Sequence, residues 1–317
     1  MAELGEANIG GRMVPAWLLN LTAEELDSLK SRWYSNPNLL DNWYFGNPVN
    51  QRGQTEYTAL GYTIDRWKLP TVHKLTVQDS DIKITCNSSA GVNFCFQQFV
   101  ENLEVGNQYT LSALITENTT TKGVNLRHGN FGHNAVTGTG VYAYTFVANS
   151  ADLTYGVGMQ FNSRVDDNDN YFALKAIKLE LGDQQTLAHQ DANGNWVLNE
   201  IPDYGEQLRR CQRYDYIIGR TDEAAPVGLG YAYSDTAVLA VVELPETMRT
   251  NPAVSITGFV NLRFSASKNI NVSSVKNYGF SGDKVQLFFD GLSGLTQGQS
   301  CDIYTQQGSK LEFNSNL

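Results

Sequence analysis

The chain has little charge: 18% of its residues are Asp, Glu, Lys or Arg, with 33 acids against 23 bases and a formal net charge of −10. It has no run of about 18 apolar residues, so no membrane-spanning helix is expected. It has no basic cluster either. A chain this acidic lacks the footprint that a phosphate backbone or an anionic lipid surface requires. Neither nucleic-acid binding nor membrane insertion is expected. The four cysteines, Cys86, Cys95, Cys211 and Cys301, include no CxxC pair of the kind that zinc sites use. They read as buried free thiols, the alternative being a bridge between Cys86 and Cys95. Residues 1–6 are acidic and lack the basic-then-apolar order of a secretory signal, which predicts synthesis in the cytoplasm. No nucleophile elbow, Ser/His/Asp spacing or phosphate loop appears. Carboxylates for glycan cleavage would have to come from Asp166, Asp169, Asp65 or Glu56, and any acidic β chain contains such pairs. No catalytic residue is assigned, and the chain is not expected to be an enzyme.

Gly, Asn, Thr and Ser are plentiful, a composition that favours strands and turns over long helices. The length suits two domains of ordinary size. The first 35 residues form a segment by themselves. Thr22 to Glu25 has the spacing of a capping box, Leu21 and Leu26 that of a hydrophobic staple. Leu26, Leu29 and Trp33 follow at helical spacing, predicting a helix of about three turns that ends near Tyr34. Its apolar stripe has no partner nearby in sequence, so these residues are candidates for attachment to another protein.

Residues 36–184 predict seven or eight short strands, at 81–86, 93–99, 109–115, 123–127, 140–146, 153–161 and 171–181. With no crossover helices between them, they suggest an antiparallel jelly roll. Residues 185–213 form a connector. Asn193-Gly194 is a strong hairpin signal because both residues accept positive φ. Asp203, with Glu206 three residues on, opens a helix whose Leu208 and Cys211 share one face. Residues 214–317 predict a second β-sandwich, with strands at 227–233, 237–244, 253–259, 271–280, 284–289 and 310–313. The expected fold class is therefore mainly β: two antiparallel sandwich or jelly-roll domains, a short N-terminal helix and a hairpin-helix connector.

The run "KLELG" at 178–182, followed by "TLAH" at 186–189 and "NGNWVLNEIPDYGEQLRRCQRY" at 193–214, resembles a joint found in tail-fibre and baseplate-appendage proteins of phages and prophages of gut bacteria. Two further runs carry the likeness. One is "NLLDNWYFGNPVNQRGQT" at 38–55, with "GYTIDRW" at 61–67. The other is "LPETMRTNPAV" at 244–254. Together they cover residues 36–255. The resemblance implies a virion tail protein assembled in the host cytoplasm, homotrimeric and held by its N-terminal segment to other tail or baseplate proteins. It also implies binding to bacterial surface polysaccharide without cleavage. The opening and closing strands of 36–184 resemble carbohydrate-binding jelly-roll modules found beside bacterial glycanases. The alternatives are a purely structural baseplate or decoration protein, or a carbohydrate-binding module of a secreted enzyme.

Candidate glycan contacts are polar or aromatic residues on turns and strand ends. His128 to His133 is a Gly-rich run presenting Asn130, Phe131 and nearby Asn134. An offset of five places the two imidazoles on opposite faces of a strand, with no acid close in sequence, so no metal site is expected. Asp166 and Asp169 lie in a run that spaces oxygens as a calcium loop does. It lacks the Gly at the sixth place and the Glu at the twelfth, and a solvated turn is preferred. Calcium is the one cofactor the spacing leaves open; otherwise none is expected. Trp43 and Tyr57 sit among polar residues and are candidates to line a groove, whereas Trp67, between Ile64 and Leu69, reads as core. Tyr231 and Tyr233 are the candidates in the C-terminal domain.

Overall fold

The computed structural model describes the backbone of 6–9 and 12–15, and all of residues 36–90, 94–101, 103–133, 135–219 and 222–316. The expected helix with Leu26, Leu29 and Trp33 lies outside the described residues, as does Asn134. Glu6–Ile9 and Arg12–Pro15 pair as an antiparallel hairpin. Among the described residues no helix is long and apolar enough to cross a membrane. The architecture is mainly β, with antiparallel sheets throughout. The chain divides into two compact units: Met1–Gly46 with Pro70–Ile201, and Asn47–Leu69 with Pro202–Leu317.

The first unit is a sandwich of jelly-roll type. In one sheet Phe131–Gly132, Val124–His128, Val157–Phe161 and Phe96–Gln98 lie side by side. In the other the order is Gly140–Val147, Gln108–Asn118, Tyr171–Leu181, Ile82–Thr85 and Lys74–Val77. The inner faces are filled by alternate apolar residues. Ile82 and Ile84 point inward and Lys83 outward, as a half-buried strand requires. Phe161 of one sheet meets Phe172 of the other edge-on, with ring centroids 5.3 Å apart. Ile82–Thr85 covers only Tyr171 to Leu174 of its neighbour. The strand edge beyond is taken by residues 38–45, through Phe45 N–H to Lys175 O (2.8 Å), Ile177 N–H to Trp43 O (3.1 Å) and Leu39 N–H to Leu179 O (2.9 Å).

One expected strand is a correction. Residues 153–161 divide into a six-residue helix, Ser150–Tyr155, and the strand Val157–Phe161. Asn149 is the helix N-cap: its side chain accepts from Ala151 N, and Asp152 accepts from the cap backbone. Six residues are too few to show helical periodicity in a sequence. The connector hairpin forms as expected, Ala188–Gln190 against Trp196–Leu198. Only Gly194 takes positive φ there, and Asp191 holds the loop by accepting from the N–H groups of Asn193 and Asn195. The helix Tyr204–Gln212 starts at Asp203, whose carboxylate accepts from Glu206 N.

The second unit packs a three-stranded sheet with a seven-stranded one. The first runs Asp215–Ile218, Lys310–Asn314, Ala253–Thr257. The second runs Lys268–Val272, Val260–Ser265, Ser300–Thr305, Ala225–Ala232, Val238–Glu243, Lys284–Phe289, Lys276–Phe280. The expected strand 271–280 is two strands, and Asp215–Ile218, Val260–Ser265 and Ser300–Thr305 were not legible in sequence. Leu262, Leu287, Phe289, Leu311 and Phe313 are fully buried in its core. All four cysteines are free and buried, and burial pushes the Cys86 thiol up to about 12 and Cys301 up to about 11.

Gly158 pairs with Gln97 in the first unit, and a Cβ at Gly158 would overlap the Phe96 carbonyl oxygen. Interiors this close-packed do not yield backbone cheaply. Gly158→Ala is expected to cost on the order of 1–3 kcal/mol, read as a lower denaturation midpoint at unchanged m-value.

Candidate functional site

The site is built on the longest strand pair. Gln108–Asn118 and Tyr171–Leu181 run antiparallel, but their register slips twice: Glu117 pairs with Ala173, Ile115 with Leu174 and Leu114 with Ala176. Thr116 on one strand and Lys175 on the other are therefore left without a partner. Bulges of this kind re-aim side chains out of the pleat. Here both bulged residues line one open groove of about 480 Å³. Thr139 and Gly140 close one side, Tyr44 another, and the connector hairpin supplies Trp196, Val197, Leu198 and Ile201.

Apolar surface is exposed in this groove. Ile201 is 67% exposed, Val197 42% and Trp196 37%. Gly140 makes the seat for the indole: its φ is +119°, and a Cβ there would lie 2.8 Å from Trp196 Nε1. Among the described residues, the Trp196 indole N–H, the Tyr44 hydroxyl and the Lys175 ammonium have no hydrogen-bond or ion-pair partner. Thr116 donates its hydroxyl to Asp81 (2.8 Å), which leaves its oxygen free to accept. The groove thus offers an aromatic face, aliphatic flanks and three unused donors. That combination suits a ligand with one apolar face and many oxygens.

The residues singled out in sequence are dispersed. Trp43 is 3% exposed and Tyr57 5%, so neither lines a groove. Trp43 lies on the edge segment whose backbone bonds Tyr171–Leu181. Tyr57 donates its hydroxyl to Asn50 (2.5 Å). Trp67 is fully buried, as expected. Asp166 and Asp169 are exposed and engaged locally, with Ser163 (2.8 Å) and Asn168 (2.8 Å). The organising acid of that loop is instead Asp167. It turns inward and accepts from Thr121 N (2.5 Å), Thr121 Oγ1 (2.9 Å) and Lys122 N (3.1 Å). Tyr231 and Tyr233 are exposed on the second unit, beside Leu229 and Val241.

The His128 reading needs two corrections. The chain reverses at Gly129, whose φ is +49°, so the imidazoles of His128 and His133 stack 4.9 Å apart on one side. An acid is also at hand: His128 Nδ1 lies 2.6 Å from Asp152 Oδ1, brought in by the unforeseen helix. Burial, reinforced by His128, holds His133 down at about 4, so that ring is neutral at pH 7. Phe131 is 55% exposed on the turn, and Asn130 beside it is exposed as well.

A second cluster of charge lies in the second unit. Arg52 contacts Asp215 at 2.5 Å, Glu312 at 2.9 Å and Asp65 at 3.6 Å. Gln51 Nε2 bridges Asp65 Oδ2 (2.8 Å) and Asp215 O (2.7 Å). Burial pushes Asp215 up to about 9 and Asp65 up to about 6, against the pull of Arg52. For Glu312 burial acts upward as well, but Arg52 and the hydrogen bonds from Asp215 and Asn314 together outweigh it and hold the carboxylate below its ordinary value. Asp65 and Asp215 are covered, so no sugar ring reaches them. The cluster joins segment 47–69 to the strands Asp215–Ile218 and Lys310–Asn314.

No family model and no curated protein matches the chain. Among solved structures it is similar to the N-terminal CBM22-1-CBM22-2 tandem domain of Xyn10C from Paenibacillus barcinonensis. The identity is 11%, over 89% of this chain and 97% of that one, at a TM-score of 0.23. A superposition that loose carries no argument about fold or ligand.

The Asp215 shift has a sign. The native carboxyl keeps its proton up to about pH 9, whereas the unfolded chain loses it near 4. Between those values the native state binds more protons, so stability falls as pH rises. Thermal melts of the wild type are expected to shift downward from about pH 6 to 9, and Asp215→Asn to flatten that slope.

Proposed function

We propose that this protein is a non-catalytic glycan-binding appendage of a phage or prophage tail, and that the Trp196 groove is its sugar site. The observation that carries the glycan reading is the groove itself, where an open aromatic and aliphatic wall meets unused donors of Tyr44, Trp196 and Lys175. A pyranose matches it, stacking its C–H face on the indole while its hydroxyls meet the donors. The tail assignment is supported by the sequence runs at 38–67, 178–214 and 244–254, and a virion is the location they imply. A homotrimer fits the second unit, whose seven-stranded sheet exposes Leu229, Tyr231, Val241 and Tyr278. An open groove of this size supports millimolar to micromolar affinity, and linked copies raise it by factors of about 100 or more. The exposed turn at Asn130 and Phe131 is a second contact for an extended chain.

The test is a glycan array followed by titration of Trp196→Ala. Binding is expected to weaken at least about ten-fold, as for an aromatic anchor. The melting temperature should change by only a few degrees, because the indole is already 37% exposed. Unchanged binding would remove the groove from the reading. Light scattering should give three times the chain mass, and a monomer at micromolar concentration would remove the trimer.

A further inference from the structure

The groove lining contains one charged residue, Lys175, and no acid. In a chain of net charge −10, a half-buried lysine in a groove with no carboxylate beside it calls for an explanation. An ammonium at an aromatic wall is a ready partner for an anionic ligand group. Two other lysines of the first unit have partners: Lys178 lies 3.6 Å from Glu180 and bonds Thr186, and Lys83 sits over the Tyr171 ring. Lys175 has no such partner among the described residues. Its place is also imposed by the backbone, since it occupies the bulge opposite Thr116 and its own carbonyl is fixed by Phe45 N–H. An in-register strand would carry residue 175 within the pleat. The slip instead brings it beside the aromatic wall that Trp196 and Tyr44 form.

We infer that the groove takes a glycan bearing a carboxylate, of uronate or sialate type, with the acid group on the Lys175 ammonium and the ring on Trp196. The inference rests on the groove being the sugar site. A neutral sugar uses the ammonium only as a hydrogen-bond donor and leaves its charge unmatched, and an amino sugar is repelled by it. Lysine suits this task as a compact point charge on a flexible stem, able to follow a carboxylate on a ring that is held elsewhere. Thr116 and the Tyr44 hydroxyl remain for neighbouring ring oxygens.

The test compares matched probes by titration calorimetry: sialyllactose and an oligogalacturonate, each against its own methyl ester, with lactose as the neutral control. The free acids are expected to bind about ten-fold tighter than the esters, with the difference shrinking in about 0.5 M salt as the charge pair is screened. Lys175→Met should abolish the difference between acid and ester, and Lys175→Arg should retain part of it. Equal binding of acid and ester, with loss of both in Trp196→Ala, overturns the acid preference and leaves the sugar groove standing. An acid preference that survives Lys175→Met places the carboxylate elsewhere and also overturns the inference. No binding of any probe, or binding indifferent to Trp196→Ala, overturns both. Melting curves of each variant confirm that the comparison is between folded proteins.

Discussion

The first unit depends on the pairing of Gln108–Asn118 with Tyr171–Leu181, two eleven-residue strands at the centre of one sheet. The flanking strands Gly140–Val147 and Ile82–Thr85 and the edge segment 38–45 pair with these two strands. Its apolar faces fill the core, from Leu111 and Ile115 to Phe172 and Leu179. Its two register slips interrupt the ladder, and bulges of this kind bend a strand and raise its local twist. Their consequence is chemical: Thr116 and Lys175 leave the ladder and line the groove.

The second unit solves a different problem. Segment 47–69 has only short strand pairings, too few to hold a chain by themselves. Its attachment to the three-stranded sheet is electrostatic, through Arg52 with Asp215 and Glu312, Gln51 with Asp65 and the Asp215 carbonyl, and Lys310 with the Arg52 carbonyl. Three carboxylates on one guanidinium exceed its charge. The covered Asp215 relieves that excess by keeping its proton. Such a cluster specifies where the segment lies more than it adds stability, because desolvation of the charges offsets their attraction.

The two aromatic loops illustrate how short elements escape a linear reading. The spacing of His128 and His133 fits a strand offset, but a turn at Gly129 folds the two rings into a stack. Asp152, distant in sequence, completes the contact because Asn149 and Asp152 cap a helix of six residues. Trp196 was legible as a hairpin flank, and nothing in its neighbourhood announced that Gly140, 56 positions earlier, leaves room for its indole.

What the sequence by itself determined is what local chemistry controls. Strand-type runs marked Ile82–Thr85 and Tyr171–Leu181, Asn193-Gly194 marked the hairpin, and Asp203 with Glu206 marked the start of Tyr204–Gln212. Those features depend on residues within a few positions of each other. Composition likewise spoke for a mainly β chain. Only the tertiary structure decided which residues line the groove. Strand register is a property of two chains at once, and a slip of one residue exchanges faces without changing either sequence pattern. Trp43 and Tyr57 looked like ligand contacts because their neighbours are polar, yet tertiary packing buries both. The bulge at Lys175 and the seat at Gly140 bring Lys175 and Trp196 to one groove through contacts distant in sequence that no local rule encodes.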